Sequence, residues 1–179
     1  ERRGGFREER GGRQDSKYQN HSSIEEYVAP NGDEPTIPAG VSADELDAQA
    51  LRALTTLSGP NRDIVARHLV LAGQLIDLDP EAAYQHAQAA VSRAGRVDVV
   101  REAAALTAYA SGRYEEALRE VRAVRRMRAD SSLRAIEADA ERGLGHPDKA
   151  VEIIEATPQV SISPNRSNWS SSLPGRAPT

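Results

Sequence analysis

Apolar residues recur every three or four positions along the middle of the chain, a spacing that predicts amphipathic helices. The spacing first appears at four residues: Leu46, Ala50, Leu54 and Leu57. Ser42 followed by Glu45 forms a capping-box pattern, so a helix is predicted over 43–57. Gly59 and Pro60 are expected to end it. Asn61 is expected to cap a second helix, reaching about residue 76, whose surface is almost entirely apolar and therefore buried.

Turn residues divide the following stretch into five more helices. Asp79, Pro80 and Glu81 supply a cap, a proline for the first turn and an early carboxylate. The sixth helix is expected to begin at Asp130 or Ser131. Helices three to seven are predicted over 80–94, 98–110, 114–127, about 131–143 and 147–156. No stretch alternates with period two for long enough to predict a strand, so the fold class is all-α, with seven antiparallel helices.

The first 40 residues differ in composition from this helical part. They are rich in Gly, Arg, Glu, Asn and Pro with scattered apolar residues, so a disordered arm is predicted over 1–40. Arg-Gly pieces around Gly4 and Gly11 resemble the Arg-Gly boxes of RNA-binding tails. Two interpretations therefore stand for the arm, namely RNA contact and a solubilising tail or linker.

The segment 159–179 contains many Ser and Pro residues and no acidic residue, which predicts an irregular tail. A frameshift is the alternative. Lys17 and Lys149 are the only lysines among 23 basic residues, a bias typical of GC-rich codons, and with such codons a shifted frame encodes a helical, acidic segment. The predicted helical domain is therefore 41–158, between an arm and a tail.

Charge and composition narrow the function classes. The chain has no cysteine, which excludes thiol nucleophiles, disulfides and Cys-ligated metals. Its net charge is -4, and no apolar run approaches the length that spans a bilayer, so a cytoplasmic protein without membrane contact is expected. Because the chain begins with Glu1, it is interpreted as a fragment or a processed form.

Chemically active motifs are scarce. The four histidines, His21, His68, His86 and His146, lie in separate segments without an HExxH pattern, so no metal or cofactor is expected. His68 and His86 could face each other across the second and third helices. Glu115 and Glu116 form a carboxylate pair at a helix start, where backbone dipoles favour negative charge. Catalysis and a small-molecule substrate are therefore not expected.

Small residues and turn glycines repeat along the chain. Gly112 and Gly145 are 33 residues apart, as are Ala117 and Ala150, and Ala83 lies 34 residues before Ala117. This pattern resembles the tetratricopeptide repeat, a helix-turn-helix unit of 34 residues that stacks into an α-solenoid. The resemblance covers about 61–158. It is best in the unit around Gly112, with flanking units that depart from the pattern, and an Ala-rich helical bundle is the alternative.

The resemblance implies a groove, lined by the first helix of each unit, that holds a protein segment. Its residues by position are His68, Ala72, Leu75, Glu102, Leu106, Tyr109, Ala135, Asp139 and Arg142. The family's clamp for chaperone C-termini uses Lys, Asn and Arg, which His68, Glu102 and Asp139 do not supply. A different protein or peptide partner is therefore expected.

Five arginines crowd the fifth predicted helix: Arg119, Arg122, Arg125, Arg126 and Arg128. They form either a solvated face or a basic face that contacts an acidic protein segment or phosphates. The leading hypothesis is a non-catalytic scaffold that binds a partner segment in the groove. The alternative is an RNA- or ribosome-associated factor that uses the Arg-Gly arm and this basic face, and an enzyme is the third and weakest hypothesis.

Overall fold

The computed structural model describes residues 24–129 and 131–156, and over these residues the fold is all-helical, as predicted. Its α-helices are α1 (Ala48–Ala53), α2 (Gly59–Leu75), α3 (Pro80–Ala94), α4 (Asp98–Ala110), α5 (Tyr114–Met127), α6 (Arg134–Gly143) and α7 (Pro147–Glu155), with 3₁₀ turns at Ala43–Glu45 and Leu54–Thr56. The bounds of α3, α4 and α5 match the predicted ones. None of the helices in these two ranges is long and apolar enough to cross a bilayer.

The first predicted helix, 43–57, is broken into three short pieces. The capping box forms as predicted, with the Ser42 amide donating to Glu45 Oε1 at 2.8 Å, but it closes only a 3₁₀ turn. Asp47 then caps α1 with its own carboxylate, which accepts from the Gln49 amide at 2.8 Å. A side chain that satisfies the backbone locally competes with the continuous helix, and apolar spacing alone does not reveal this competition.

The starts of α2 and α6 also differ from the prediction. Gly59 and Pro60 lie inside α2 instead of ending the helix before it, because proline has no amide hydrogen and fits a first helical turn. Asn61 is therefore not the cap, and its side-chain oxygen accepts from Arg93 Nη1 on α3 at 3.2 Å. α6 begins at Arg134, a few residues later than expected.

The helices pack as three antiparallel pairs, α2 with α3, α4 with α5, and α6 with α7. The direction is evident in the first pair, where Asn61 near the start of α2 meets Arg93 near the end of α3 and His68 meets His86 midway. Consecutive pairs are joined by packing of α3 on α4 and of α5 on α6. The first helices of the pairs also touch, α2 with α4 and α4 with α6.

Alanines dominate the contact surfaces of these helices. Ala83, Ala87 and Ala90 on α3, Ala104 on α4 and Ala117 on α5 have no exposed surface. Such small side chains let helix axes approach closely. Larger apolar residues fill two clusters, one that includes Leu54, Val65 and Val100 and one formed by Ala105, Val121, Val124 and Leu133.

Residues 24–40 are folded against α2 and α3, so the ordered part of the chain begins before Val41. Tyr27 and Ile37 form an antiparallel bridge with two hydrogen bonds of 2.9 Å, and Ile37 is fully buried. The buried Arg67 of α2 donates from Nε to the Val41 carbonyl at 2.8 Å and from Nη2 to the Glu25 carbonyl. The Arg-Gly pieces and the tail over 159–179 lie outside the described residues.

Gly112→Ala tests the turn between α4 and α5. Gly112 has φ 76° with no atom within 4 Å of an added Cβ, so the whole cost is backbone strain. We expect the free energy of unfolding, measured by urea denaturation, to fall by about 1–2 kcal/mol. Gly112→Asn is the matched control, because Asn tolerates this conformation and should cost less. Equal stability of the Ala variant and the wild type would contradict this explanation.

Candidate functional site

The residues expected to line one groove occupy three separate places. His68 is fully buried against His86, and Glu102 is buried beneath Arg128. Tyr109, Asp139 and Arg142 are brought together at the surface where α4 lies beside α6. The His68 and Glu102 assignments are therefore wrong as accessible groove positions, because both side chains are enclosed by contacts that sequence spacing does not reveal.

The contact between α4 and α6 is made by polar side chains. Tyr109, at the end of α4, donates its phenolic hydrogen to Asp139 on α6, and Arg142 donates from Nε to the same carboxylate at 2.9 Å. These bonds, first from Tyr109 and then from Arg142, lower the pKa of Asp139, and the same bond raises the pKa of Tyr109. Asp139 is therefore ionised at neutral pH and balances the charge of the exposed Arg142.

Apolar side chains lie one helical turn before these polar groups. Leu106 precedes Tyr109 on α4 and is half-buried against the cluster around Val121. Ala135 precedes Asp139 on α6 and is exposed. The α4–α6 surface, defined here as Leu106, Tyr109, Ala135, Asp139 and Arg142, thus combines a small apolar strip with a polar end. The other expected groove residues lie on α2, where Ala72 is buried and Leu75 is half-buried.

The arginine row of α5 is largely occupied by carboxylates. Glu102, Glu137 and Glu141 are buried, and each lies under one of these guanidinium groups. The pairs are Arg119 with Glu116, Arg122 with Glu141, Arg125 with Glu137, and Arg128 with both Asp98 and Glu102, at 2.8 to 3.8 Å. The exposed Arg126 has no ion pair among the described residues. Because three of these pairs reach α4 or α6, the row connects helices and is less basic than the sequence indicates.

On the opposite side of the pairs, α3 contacts α5 in a similar way. Tyr84 donates its phenolic hydrogen to Glu116, and the Arg113 guanidinium lies 4.2 Å from the centroid of the Tyr84 ring. Burial and this hydrogen bond raise the pKa of Tyr84 to about 12. Arg113 also pairs with Glu81 at 2.8 Å. These contacts hold the second helices of two consecutive pairs side by side.

A cleft of about 670 Å³ lies between residues 25–27, α1 and the start of α2. Tyr27, Leu51 and Ile64 provide apolar walls, and Arg52 and Asp44 provide charge. Its volume is within the range of ligand pockets. Sequence reasoning missed it because composition placed 25–27 in a disordered arm. The signal that could have found it is Asn31-Gly32, a hairpin turn pattern, between the apolar Tyr27 and Ile37.

Metal ligands do not cluster in this part of the chain. Within residues 24–129 and 131–156, no group of three or more His, Asp and Glu side chains could hold a metal ion. Comparisons with protein-family models, with curated proteins and with solved structures found no match for the chain. The geometry of the site therefore carries the functional argument.

Arg128→Ala tests whether the arginine row has a structural role. Arg128 Nη2 lies 2.8 Å from Glu102, whose side chain is only 8% exposed, so its removal leaves a buried charge without that partner. We expect the free energy of unfolding at neutral pH to fall by about 1–3 kcal/mol in urea denaturation.

Arg126→Ala is the control, with an expected change within about 0.5 kcal/mol. Adding Glu102→Gln to Arg128→Ala should recover part of the loss, because a neutral amide costs less to bury than a carboxylate. Equal losses for Arg126→Ala and Arg128→Ala would show that the burial of Glu102 is not the cause.

Proposed function

We propose that this chain is a cytoplasmic, non-catalytic scaffold resembling tetratricopeptide-repeat proteins, and that it binds a segment of a partner protein on the α4–α6 surface. The observation that carries the proposal is the lateral contact of α4 with α6. It places Tyr109, Asp139 and Arg142 beside the apolar Leu106 on a part of the helical array that other described elements leave accessible.

Contacts at a regular sequence separation support the repeat interpretation. Arg113 meets Glu81 and Glu116 meets Tyr84, each 32 residues away, so α3 and α5 lie in the same direction and in register. Tyr109 and Asp139 are 30 residues apart and relate α4 to α6 in the same way. Parallel stacking of equivalent helices is what a helix-turn-helix solenoid requires, and a compact bundle does not require it.

The chemistry of the surface suggests which partner it accepts. Arg142 has a 69% exposed side chain whose guanidinium keeps donors beyond those used by Asp139. A carboxylate of a partner could pair with it, while an apolar side chain contacts Leu106 and the Tyr109 ring. On the α2 side, His68 is enclosed, with Glu34 of the N-terminal segment 3.7 Å away. The bound segment is therefore short and confined to α4 and α6.

Tyr109→Ala and Arg142→Ala test this surface. Short random peptides displayed on phage are selected on the full chain, and the affinity of a selected synthetic peptide is measured by calorimetry. We expect each variant to weaken binding by about tenfold or more, because aromatic and arginine side chains dominate protein interfaces. Arg119→Ala, which removes a similarly exposed arginine of α5, should bind as the wild type does.

Peptides that bind Tyr109→Ala and Arg142→Ala as tightly as the wild type would contradict the proposal. A single-stranded RNA oligonucleotide serves as the competing probe. RNA binding that weakens steeply with salt and is lost in Arg126→Glu would favour the RNA-associated alternative.

A further inference from the structure

Two histidines meet in the interior between α2 and α3. His68 is fully buried and His86 is 6% exposed, and their Nδ1 atoms are 2.9 Å apart. In a hydrogen bond between two imidazoles, one nitrogen carries the hydrogen and the other accepts it. The pair therefore has room for one hydrogen between the facing atoms. If both Nδ1 atoms carried hydrogen, the rings would have to move apart.

Glu34 connects this histidine pair to the N-terminal segment 24–40. Its Oε2 lies 3.7 Å from His68 Nε2 and 2.8 Å from Arg93 Nη2, and Arg93 Nη2 also donates to the Tyr27 hydroxyl at 2.6 Å. A carboxylate at this distance favours the tautomer in which His68 carries its hydrogen on Nε2 and accepts from His86 at Nδ1. The same carboxylate thus links the segment, α3 and the histidine pair.

The surroundings keep both rings neutral in the folded protein. The charged groups that face the pair are Arg67 from α2, Arg93 from α3 and Glu34 from the segment. Burial, then His86 and the two guanidinium groups, lowers the pKa of His68 from 6.5 to about 3. Burial lowers the pKa of His86 from 6.5 to about 4.

The segment over the pair is held by few contacts. Its buried apolar residues are Ala29 and Ile37, and its regular backbone pairing is the single bridge between Tyr27 and Ile37. The helices beneath it have continuous internal hydrogen bonds and apolar cores. Regions with few buried contacts open at a lower free energy than the core does. The segment is therefore the part of the structure that a change at the histidines would release first.

We propose that the His68–His86 pair is an acid-sensitive latch that holds segment 24–40 on α2 and α3, and that proton uptake by the pair releases this segment while α4 to α7 remain folded. The inference does not depend on the proposed function, because it concerns the attachment of the segment alone.

The direction of the pH effect follows from the two states of the rings. In the released state a hydrated ring has its ordinary pKa of 6.5, whereas the closed state lowers the pKa to about 3 for His68 and about 4 for His86. Stability of the closed state is therefore complete above pH 6.5 and is lost as the pH falls towards 4. At about pH 5, each ring that becomes hydrated raises the ratio of released to closed protein by about 30-fold.

Amide hydrogen exchange of the full chain tests the latch. The reporters are the Tyr27 and Ile37 amides, which donate to each other's carbonyls at 2.9 Å. Between about pH 7.5 and about pH 5, after correction for intrinsic exchange, we expect their protection to fall by about 30-fold or more. Amides of α5 should retain their protection. Unchanged protection of Tyr27 and Ile37, or an equal loss in α5, would overturn the proposal.

Variants identify the histidines responsible. In the double variant His68→Gln/His86→Gln the amides can still hydrogen-bond but do not titrate, so the pH effect should disappear. His146→Gln is the matched control, since His146 lies near the surface beside Glu141 at the start of α7, and it should keep the full effect. A double variant that folds and still loses protection at low pH would refute the latch.

If the double variant does not fold, the ring resonances of His68 and His86 in the wild type decide the question. We expect both rings to stay neutral until the Tyr27 and Ile37 amides open. Protonation of both rings near pH 6.5, while those amides remain protected, would overturn the proposal.

Discussion

The close approach of helices across buried alanines is the constraint on which the rest of this structure depends. The chain has no disulfide and few aromatic residues, so its stability comes from packing of side chains such as Ala87, Ala104 and Ala117, which have no exposed surface. Small contact residues draw the helix backbones together, and polar side chains at the edges of the contacts are then brought within bonding distance. The ion pairs and the histidine contact follow from this closeness.

Polar groups enclosed in this way take on structural roles. Glu102, Glu137 and Glu141 are buried and face arginines of the neighbouring α5, and His68 and His86 satisfy each other between α2 and α3. A buried charge or imidazole without a partner would be costly. Groups that a single helix presents as a basic face or as a groove position thus join helices. The α4–α6 surface keeps Arg142 exposed because no described element covers the outer side of α6 there.

Much of the fold was predictable from local signals, and part of the candidate site was not. Capping residues, prolines and glycines defined α3, α4 and α5, because these signals act within one turn of the residues that carry them. The interruption at Asp47 was missed because side-chain caps compete with helix continuation over only a few residues. Segment 24–40 was missed because its turn, Asn31-Gly32, was weighed less than its polar composition. Tyr109, Asp139 and Arg142 were named correctly as neighbours in space, whereas the burial of His68 and Glu102 was not foreseen.

By itself, the sequence determined the helical class, the positions of most helices and the spacing of the alanines, since propensity, capping and periodicity are properties of neighbouring residues. Only the tertiary structure decided which charges are open to a partner. Arg122 and Arg125 seem alike along the helix to Arg126, yet the first two lie over carboxylates of α6 and the third does not. The same holds for Glu34, which reaches Arg93 and His68 from a distant part of the chain. Such pairings depend on helix register and on how closely helices cross, and neither is written in local sequence.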